Sequence, residues 1–250
     1  MGRLDGKRVI FIGGVTNIGA AAVRMMAREG ARVAVGDLNA PAGRALADDL
    51  GAAVAFFPVD VSAEAAVAAF VETAAAWLGG VDALCQNAGL LRSGPVESFA
   101  AEDWDAVFAV NMRGQFFAVK HAVPHLRRAG GGSIVNMSSL AGIKGGAGRT
   151  AYSAAKGAVI GFSVSLAAEL AADGIRVNTL CPGWIDTPFN APAIATMGGP
   201  AAVEQLVRQT VPLGRQGRPE EVAPMFVYLV SDEASYITAQ SMIIDGGYYS

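Results

Sequence analysis

Ionisable side chains are scarce in this chain. Only 16% of its 250 residues are Asp, Glu, Lys or Arg, against 52% hydrophobic, and the formal charge is −3. That balance gives no electrostatic footing for nucleic acid. Histidine occurs only as His121 and His125. The pair has helical metal-ligand spacing, but Pro124 intervenes and no third ligand accompanies it, so no metal site is expected. Cysteine occurs only as Cys85 and Cys181, too few for a disulfide framework, and both read as reduced packing residues. No apolar run is expected to reach the length of a membrane span. The stretch from Met1 to Arg8 has no signal-peptide core, and Gly6 stands where a myristoylation motif needs Ser or Thr. A cytoplasmic protein with no membrane or nucleic-acid partner is expected.

No linker, composition break or internal repeat divides the chain, and 1–250 reads as one domain. A chain this long buries roughly 70–75% of its unfolded surface. Strand-like runs fall near 8–12, 32–36, 53–57, 82–85, 133–137, 175–180 and 241–244. Helical stretches separate them, the longest near 102–128 and 151–172. Alternation of this kind predicts right-handed βαβ units in a doubly wound parallel α/β sheet of seven strands with helices on both faces. A segment near 187–218, with four prolines and Gly198-Gly199, breaks the rhythm and is expected to be a lid over a substrate.

Ligands bind beyond the carboxyl ends of the strands in such sheets. After the first strand comes Gly13-Gly-Val-Thr-Asn-Ile-Gly19, and after it a helical run. Strand, glycine turn and helix form a dinucleotide fingerprint: the turn lets a pyrophosphate approach the backbone, and the helix N-terminus offers free N–H groups. Gly13, Asn17, Ile18 and Gly19 are its contact candidates. Asp37 closes the second strand, with Leu38 beside it, at the distance expected of a carboxylate that binds an adenosine ribose. The same charge would repel a 2′-phosphate, and no Lys or Arg lies in the turn or directly follows Asp37. NAD is therefore expected rather than NADP. Tyr152 and Lys156 stand four apart in Ala151-Tyr-Ser-Ala-Ala-Lys156, on one face of a helix. A cation beside a phenol favours the phenolate; lowering a pKa of about 10 by roughly 3 units takes about 4 kcal/mol. Lys156, helped by an oxidised nicotinamide, is expected to lower the Tyr152 pKa.

In these motifs the chain resembles the short-chain dehydrogenase/reductases of the compact, single-domain Rossmann-type branch with a Tyr-x-x-x-Lys active site. The resemblance runs from Gly6-Lys7 to Asp245-Gly246-Gly247, with the motifs in the family's order. It implies that Asp60-Val61 meets the adenine and that Asn87-Ala88-Gly89 follows the fourth strand and supports the sheet. Ser139 ends Ile134-Val-Asn-Met-Ser-Ser139 as the catalytic serine. Asn111 is the implied helix-kinking asparagine that orders a proton-relay water leading from Lys156. Pro182, Gly183, Ile185 and Thr187 are the implied segment over the nicotinamide, whose ribose Tyr152 and Lys156 would also meet. The implied sheet order puts a strand between Cys85 and Cys181, too far apart to bridge. Three positions depart from the pattern: Ile12 stands for a threonine, Asn17 for a glycine, and Gln86 for an asparagine. Asparagine tolerates a left-handed backbone best among non-glycine residues, so the turn is expected to survive; the loss at position 12 threatens local rigidity.

The reading is an NAD-dependent oxidoreductase that interconverts a secondary alcohol and a ketone, with Asn111, Ser139, Tyr152 and Lys156 as its machinery. Leu91, Ile143, Trp184 and Phe189, with Leu90 and Met197 nearby, suggest an apolar pocket and an alicyclic or hydrophobic substrate. A 3-oxoacyl-thioester (acyl-carrier-protein) reductase using NADPH shares these motifs, but Asp37 argues against it. A non-catalytic nucleotide sensor or structural protein is expected to have lost part of Ser139, Tyr152 and Lys156. Arg127-Arg128 suits a helix C-terminus, or less simply an acidic carrier. Tyr248-Tyr249 packs locally or reaches a neighbouring subunit. The resemblance implies a homotetramer built on the two long helices and the last helix and strand, to which the apolar Val222–Val230 stretch was matched.

Overall fold

The computed structural model describes residues 2–249. Seven parallel strands form one sheet in the order β3-β2-β1-β4-β5-β6-β7. They are β1 Arg8–Ile12, β2 Arg32–Asp37, β3 Val54–Pro58, β4 Ala83–Gln86, β5 Gly132–Met137, β6 Ile175–Pro182 and β7 Ser241–Ile244. The helices are α1 Asn17–Arg28, α2 Ala40–Leu50, α3 Glu64–Leu78, α4 Ala101–Phe108, α5 Gly114–Arg128, α6 Ala141–Lys144, α7 Thr150–Leu170, α8 Ala191–Thr196, α9 Pro200–Thr210 and α10 Pro219–Val230. Strand bounds shift from the sequence reading by a residue or two at most. The order reverses between β1 and β4, and the crevice of a doubly wound sheet opens at such a reversal.

Side chains alternate across a strand, and this divides the core. Val9 and Phe11 of β1, with Val33 and Val35 of β2, face α1 and α10; the Phe11 and Phe226 rings stand 5.1 Å apart. Ile10, Ile12, Ala34 and Ile134 face α3, α5 and α7, where Phe70, Leu126 and Leu166 meet them. A third cluster sits above the strand ends: Leu91, Val107, Tyr152 and Trp184 pack with Val203 and Val207 of α9. The segment near 187–218 thus carries two helices and is fastened over the carboxyl edge of the sheet.

Three expectations change. The stretch near 102–128 is not one helix: a π-turn over Ala109–Arg113 separates α4 from α5. Val222, Ala223, Phe226, Val227 and Leu229 are wholly buried against α1 and the sheet, so they offer no surface to another subunit. And one helix, Thr150–Asp173, is long and apolar enough to cross a membrane by length and composition. It packs here against β5, β6 and α6, and it buries Tyr152, Lys156 and Ser163 on its inner side.

The two histidines are spent between α5 and α3. His125 Nε2 lies 2.9 Å from Glu72, and His121 lies 3.3 Å from Glu64, which Lys120 also binds. Arg127 pairs with Asp173 and Arg128 with His125 Nδ1. Cys85 on β4 and Cys181 on β6 are buried free thiols with β5 between them.

Candidate active site

The carboxyl ends of β1, β2, β4, β5 and β6 open into a cleft of about 1130 Å³ of empty space, its solvent-facing mouth included. Of the residues singled out in the sequence, Gly13, Asn17, Ile18, Asp37, Leu38, Val61, Asn87, Ala88, Gly89, Ser139, Tyr152, Lys156, Pro182, Gly183, Ile185, Thr187 and Phe189 all line it. Gly19, Asp60 and Asn111 are not among the residues that line it. Asp60 instead closes its own turn, its Oδ1 accepting from the backbone N–H and hydroxyl of Ser62.

The glycine turn is held tightly. A Cβ on Gly13, whose φ is +78°, would fall 2.2 Å from the Ala88 nitrogen, and one on Gly19 would fall 2.0 Å from the Gly13 oxygen. Asn17 takes the left-handed conformation with φ of 49°, so asparagine supplies the geometry the usual glycine would. The loops around Ile12 are tied together by other groups. Its carbonyl accepts from the N–H groups of Asn87 and Ala88 at 2.8 and 3.2 Å. The Asn87 amide donates to the Gly13 carbonyl at 2.7 Å. Backbone and Asn87 do what a threonine hydroxyl was expected to do, and the Ile12 side chain packs in the core.

Asp37 stands at the rim, one oxygen accepting from the Asn39 N–H at 3.0 Å. Among the described residues lining the cleft, the only cation is Lys156. The residues present fit a dinucleotide: a backbone turn that tolerates no side chain at Gly13, a helix N-terminus behind it, and a carboxylate at the next strand end.

Tyr152 and Lys156 project from the first turns of α7 and are both buried. The Ser139 hydroxyl hydrogen-bonds the Tyr152 phenol and accepts from the Ala141 N–H at 3.1 Å. Burial dominates the titration of both. It pushes the Tyr152 phenol up to about 12, against the Ser139 hydrogen bond and the Arg149 charge, which pull it down. It pushes Lys156 down to about 7. The groups that act on the phenol here are its burial, Ser139 and Arg149; the expected lowering by Lys156 with an oxidised nicotinamide belongs to the cofactor-bound protein. The Lys156 ammonium lies 5.7 Å from the Tyr152 ring centroid and donates to the Met137 carbonyl at 2.8 Å.

Asn111 sits in the π-turn, fully buried. Its side chain is consumed: the amide donates to the carbonyls of Leu90 and Val107, and its oxygen accepts from the Leu90 N–H. Its connection toward Lys156 runs through Gln115, whose amide donates to the Asn111 and Met137 carbonyls, each at 3.0 Å. Nothing in the sequence reading singled out Gln115, because a glutamine in an apolar helix carries no motif. Gln86 continues a buried polar row, donating to Asn136, which donates to Ser163.

The expected substrate pocket is rearranged. Phe189 lines the cleft with its ring 6.1 Å from that of Tyr152. Leu91 and Ile143 do not line it; Leu91 packs into the cluster above the sheet. Trp184 turns to a second, smaller pocket behind Ser139, which Tyr248 also lines. Thr16, Val59, Met137, Ser138 and Asn190 line the cleft without having been singled out. Each follows a strand end or the lid, where composition alone gives no signal.

A family profile described as enoyl-(acyl carrier protein) reductase matches residues 14–249. The chain is 39% identical over 246 residues to a 3-alpha-(or 20-beta)-hydroxysteroid dehydrogenase of Mycobacterium tuberculosis, covering 98% of this chain and 90% of that protein. It is 39% identical over 253 residues to a cis-4-hydroxycyclohexanecarboxylate dehydrogenase of Sinomonas cyclohexanicum, covering 99% of each. It is also 39% identical over 248 residues to a 3-oxoacyl-[acyl-carrier-protein] reductase of Thermotoga maritima, covering 98% of each.

Proposed function

The chain belongs to the short-chain dehydrogenase/reductase family, and from that premise we propose an NAD-dependent oxidoreductase that interconverts an apolar or alicyclic secondary alcohol and its ketone. The observation that carries the reading is the meeting of Ser139, Tyr152 and Lys156 in the cleft that Gly13, Asn17 and Asp37 also line. Two of the relatives act, by name, on steroid and cyclohexane alcohols. The side chains beside Tyr152, notably Phe189, suit such rings.

When bound, the nicotinamide cofactor supplies the hydride donor or acceptor. Gly13, Asn17 and Ile18 would hold its pyrophosphate, Asp37 its adenosine ribose, and Lys156 its other ribose. Asp37 supports NAD over NADP because, among the described residues lining the cleft, no cation but Lys156 is present to offset repulsion of a 2′-phosphate. Ser139 holds the substrate oxygen. Tyr152, protonated by burial, gives its proton to that oxygen during reduction and takes one during oxidation. For oxidation the phenol must be brought down, by Ser139, by Arg149 and by Lys156 in its protonated form. Gln115, Met137 and Asn111 fix where the Lys156 amine stands; a water ordered by Asn111 would meet its carbonyl. We further propose a cytoplasmic homotetramer.

The test is reduction of NAD and NADP across cyclic, aryl, steroid, polyol and 3-hydroxyacyl alcohols. NAD-only turnover of one apolar or alicyclic class is expected. Turnover confined to 3-hydroxyacyl thioesters with NADP would instead favour the acyl-carrier-protein reductase reading, which the Thermotoga relative shares by name. Tyr152→Phe should cost about 10²–10⁴-fold in turnover while NAD affinity stays within a few-fold. Substantial activity in that variant would sink the assignment.

A further inference from the structure

We propose that the small pocket behind Ser139 is a carboxylate subsite, and that the substrate is a secondary alcohol or ketone bearing a carboxylate; this rests on the dehydrogenase reading above. The pocket has about 340 Å³ of empty space, its solvent-facing mouth included, and its walls include Ser139, Lys144, Arg149, Trp184 and Tyr248. Ser139, Pro182 and Gly183 line both it and the main cleft. The two spaces therefore adjoin, and a substrate whose oxygen meets Ser139 would place its carboxylate in the smaller one.

Arg149 is held in place yet left unpaired. Its guanidinium stands 5.4 Å from the Trp184 ring centroid. It also packs on Gly146, where a Cβ would come 2.1 Å from one terminal nitrogen. Any side chain at position 146 would evict it. Arg3, Arg8, Arg127 and Arg215 each bind a carboxylate. Among the described residues none binds Arg149, and its Nε is buried without an acceptor.

A second cation completes the pocket. Lys144 Nζ lies 3.9 Å from the Tyr248 ring centroid and donates to the Tyr248 carbonyl at 3.1 Å. It too has no carboxylate within ion-pair distance among the described residues. A planar guanidinium with no carboxylate partner among the described residues matches a planar, two-oxygen acceptor. The small volume beside two cations and an indole suits a carboxylate on a ring.

The experiment compares kcat/KM for cyclohexanols bearing a ring carboxylate at the 3- or 4-position with kcat/KM for their methyl esters and for cyclohexanol. The acid should be preferred over its ester by about 10- to 100-fold, the range of one charge-assisted hydrogen bond, chiefly through KM. Arg149→Gln should bring that ratio close to one, and Arg149→Lys should keep part of it. The ratio is the readout because the Arg149 charge also acts on Tyr152, which would change turnover of acid and ester alike. Independently of any variant, cyclohexanecarboxylate should inhibit the wild-type protein competitively and more strongly than cyclohexanecarboxamide. Equal use of acid and ester, or a ratio that survives Arg149→Gln, overturns the subsite and leaves the dehydrogenase standing. Failure of acid, ester and cyclohexanol alike overturns the subsite, and the dehydrogenase reading falls with it only where the aryl, steroid, polyol and 3-hydroxyacyl alcohols also fail to reduce either nicotinamide.

Discussion

Among single residues, the site depends on two buried groups whose titration is moved in opposite directions. Tyr152 is held protonated and Lys156 is brought near neutrality, both by desolvation. For Lys156 the consequence reaches stability. Its pKa falls from 10.5 to about 7 on folding, so between those values the unfolded chain binds more protons than the native one. Native stability should therefore rise with pH across that window. Lys156→Met removes the penalty, and the Met137 carbonyl keeps its second donor, Gln115. Denaturant titration of the cofactor-free protein should find the variant roughly 2–4 kcal/mol more stable at pH 7, converging on wild type near pH 10.5, although inactive. A difference that stays constant with pH would show that burial does not strain this lysine. Asp37 governs cofactor choice at the same scale. Asp37→Ala should raise kcat/KM for NADP relative to NAD by about tenfold or more, as loss of a charged hydrogen bond implies. The relative figure is required because Asp37 also accepts from Asn39. Unchanged selectivity would remove Asp37 as the ribose ligand.

The elements place these residues. The tight turn between β1 and α1 depends on Gly13, which leaves no room for a side chain, and on Asn17 in the left-handed region. Asn17→Gly should be neutral or slightly stabilising, whereas Asn17→Val should cost about 1–2 kcal/mol or more, read as the midpoint of chemical unfolding. Equal midpoints would mean that the turn relaxes freely. The π-turn between α4 and α5 has a similar local cause. It puts Asn111 where its amide can satisfy Leu90 and Val107 at once, joining the loop after β4 to the helix that follows. Gln115, one turn later, reaches both the Asn111 and the Met137 carbonyls. The site's floor is thus a chain of backbone carbonyls bridged by side-chain amides.

At the scale of the molecule, burial decides which surfaces remain for association. The apolar inner face of the last helix is consumed by α1 and the sheet, and Glu220 and Pro224 stay exposed. The α5 and α7 surfaces retain Phe116 at 43% and Val164 at 47% exposure, and Phe116 meets Phe162 edge-on. These surfaces belong to the long helices through which the proposed tetramer would form. Light scattering of the wild-type protein should give four chains, and Val164→Glu should give smaller species at the same concentration. A wild-type monomer would reject the assembly.

The seven strands, their parallel winding and the place of the crevice were legible in the sequence because they follow from period and order: apolar runs separated by helices admit few topologies. The Gly13 turn, Asp37, Ser139, Tyr152 and Lys156 were legible because each chemical task needs a particular residue type at a particular spacing. What the sequence could not decide was set by side-chain direction and solvent access. Trp184 was expected beside Phe189, yet it turns behind Ser139 to meet Arg149. The Val222–Val230 stretch is equally apolar whether it faces a second subunit or its own sheet, and only the packing of α10 on α1 chose. The Tyr152 shift depends on how much water folding removes and on how near it brings Ser139 and Arg149. Desolvation is a property of the surrounding atoms, and those are brought together only by the tertiary structure.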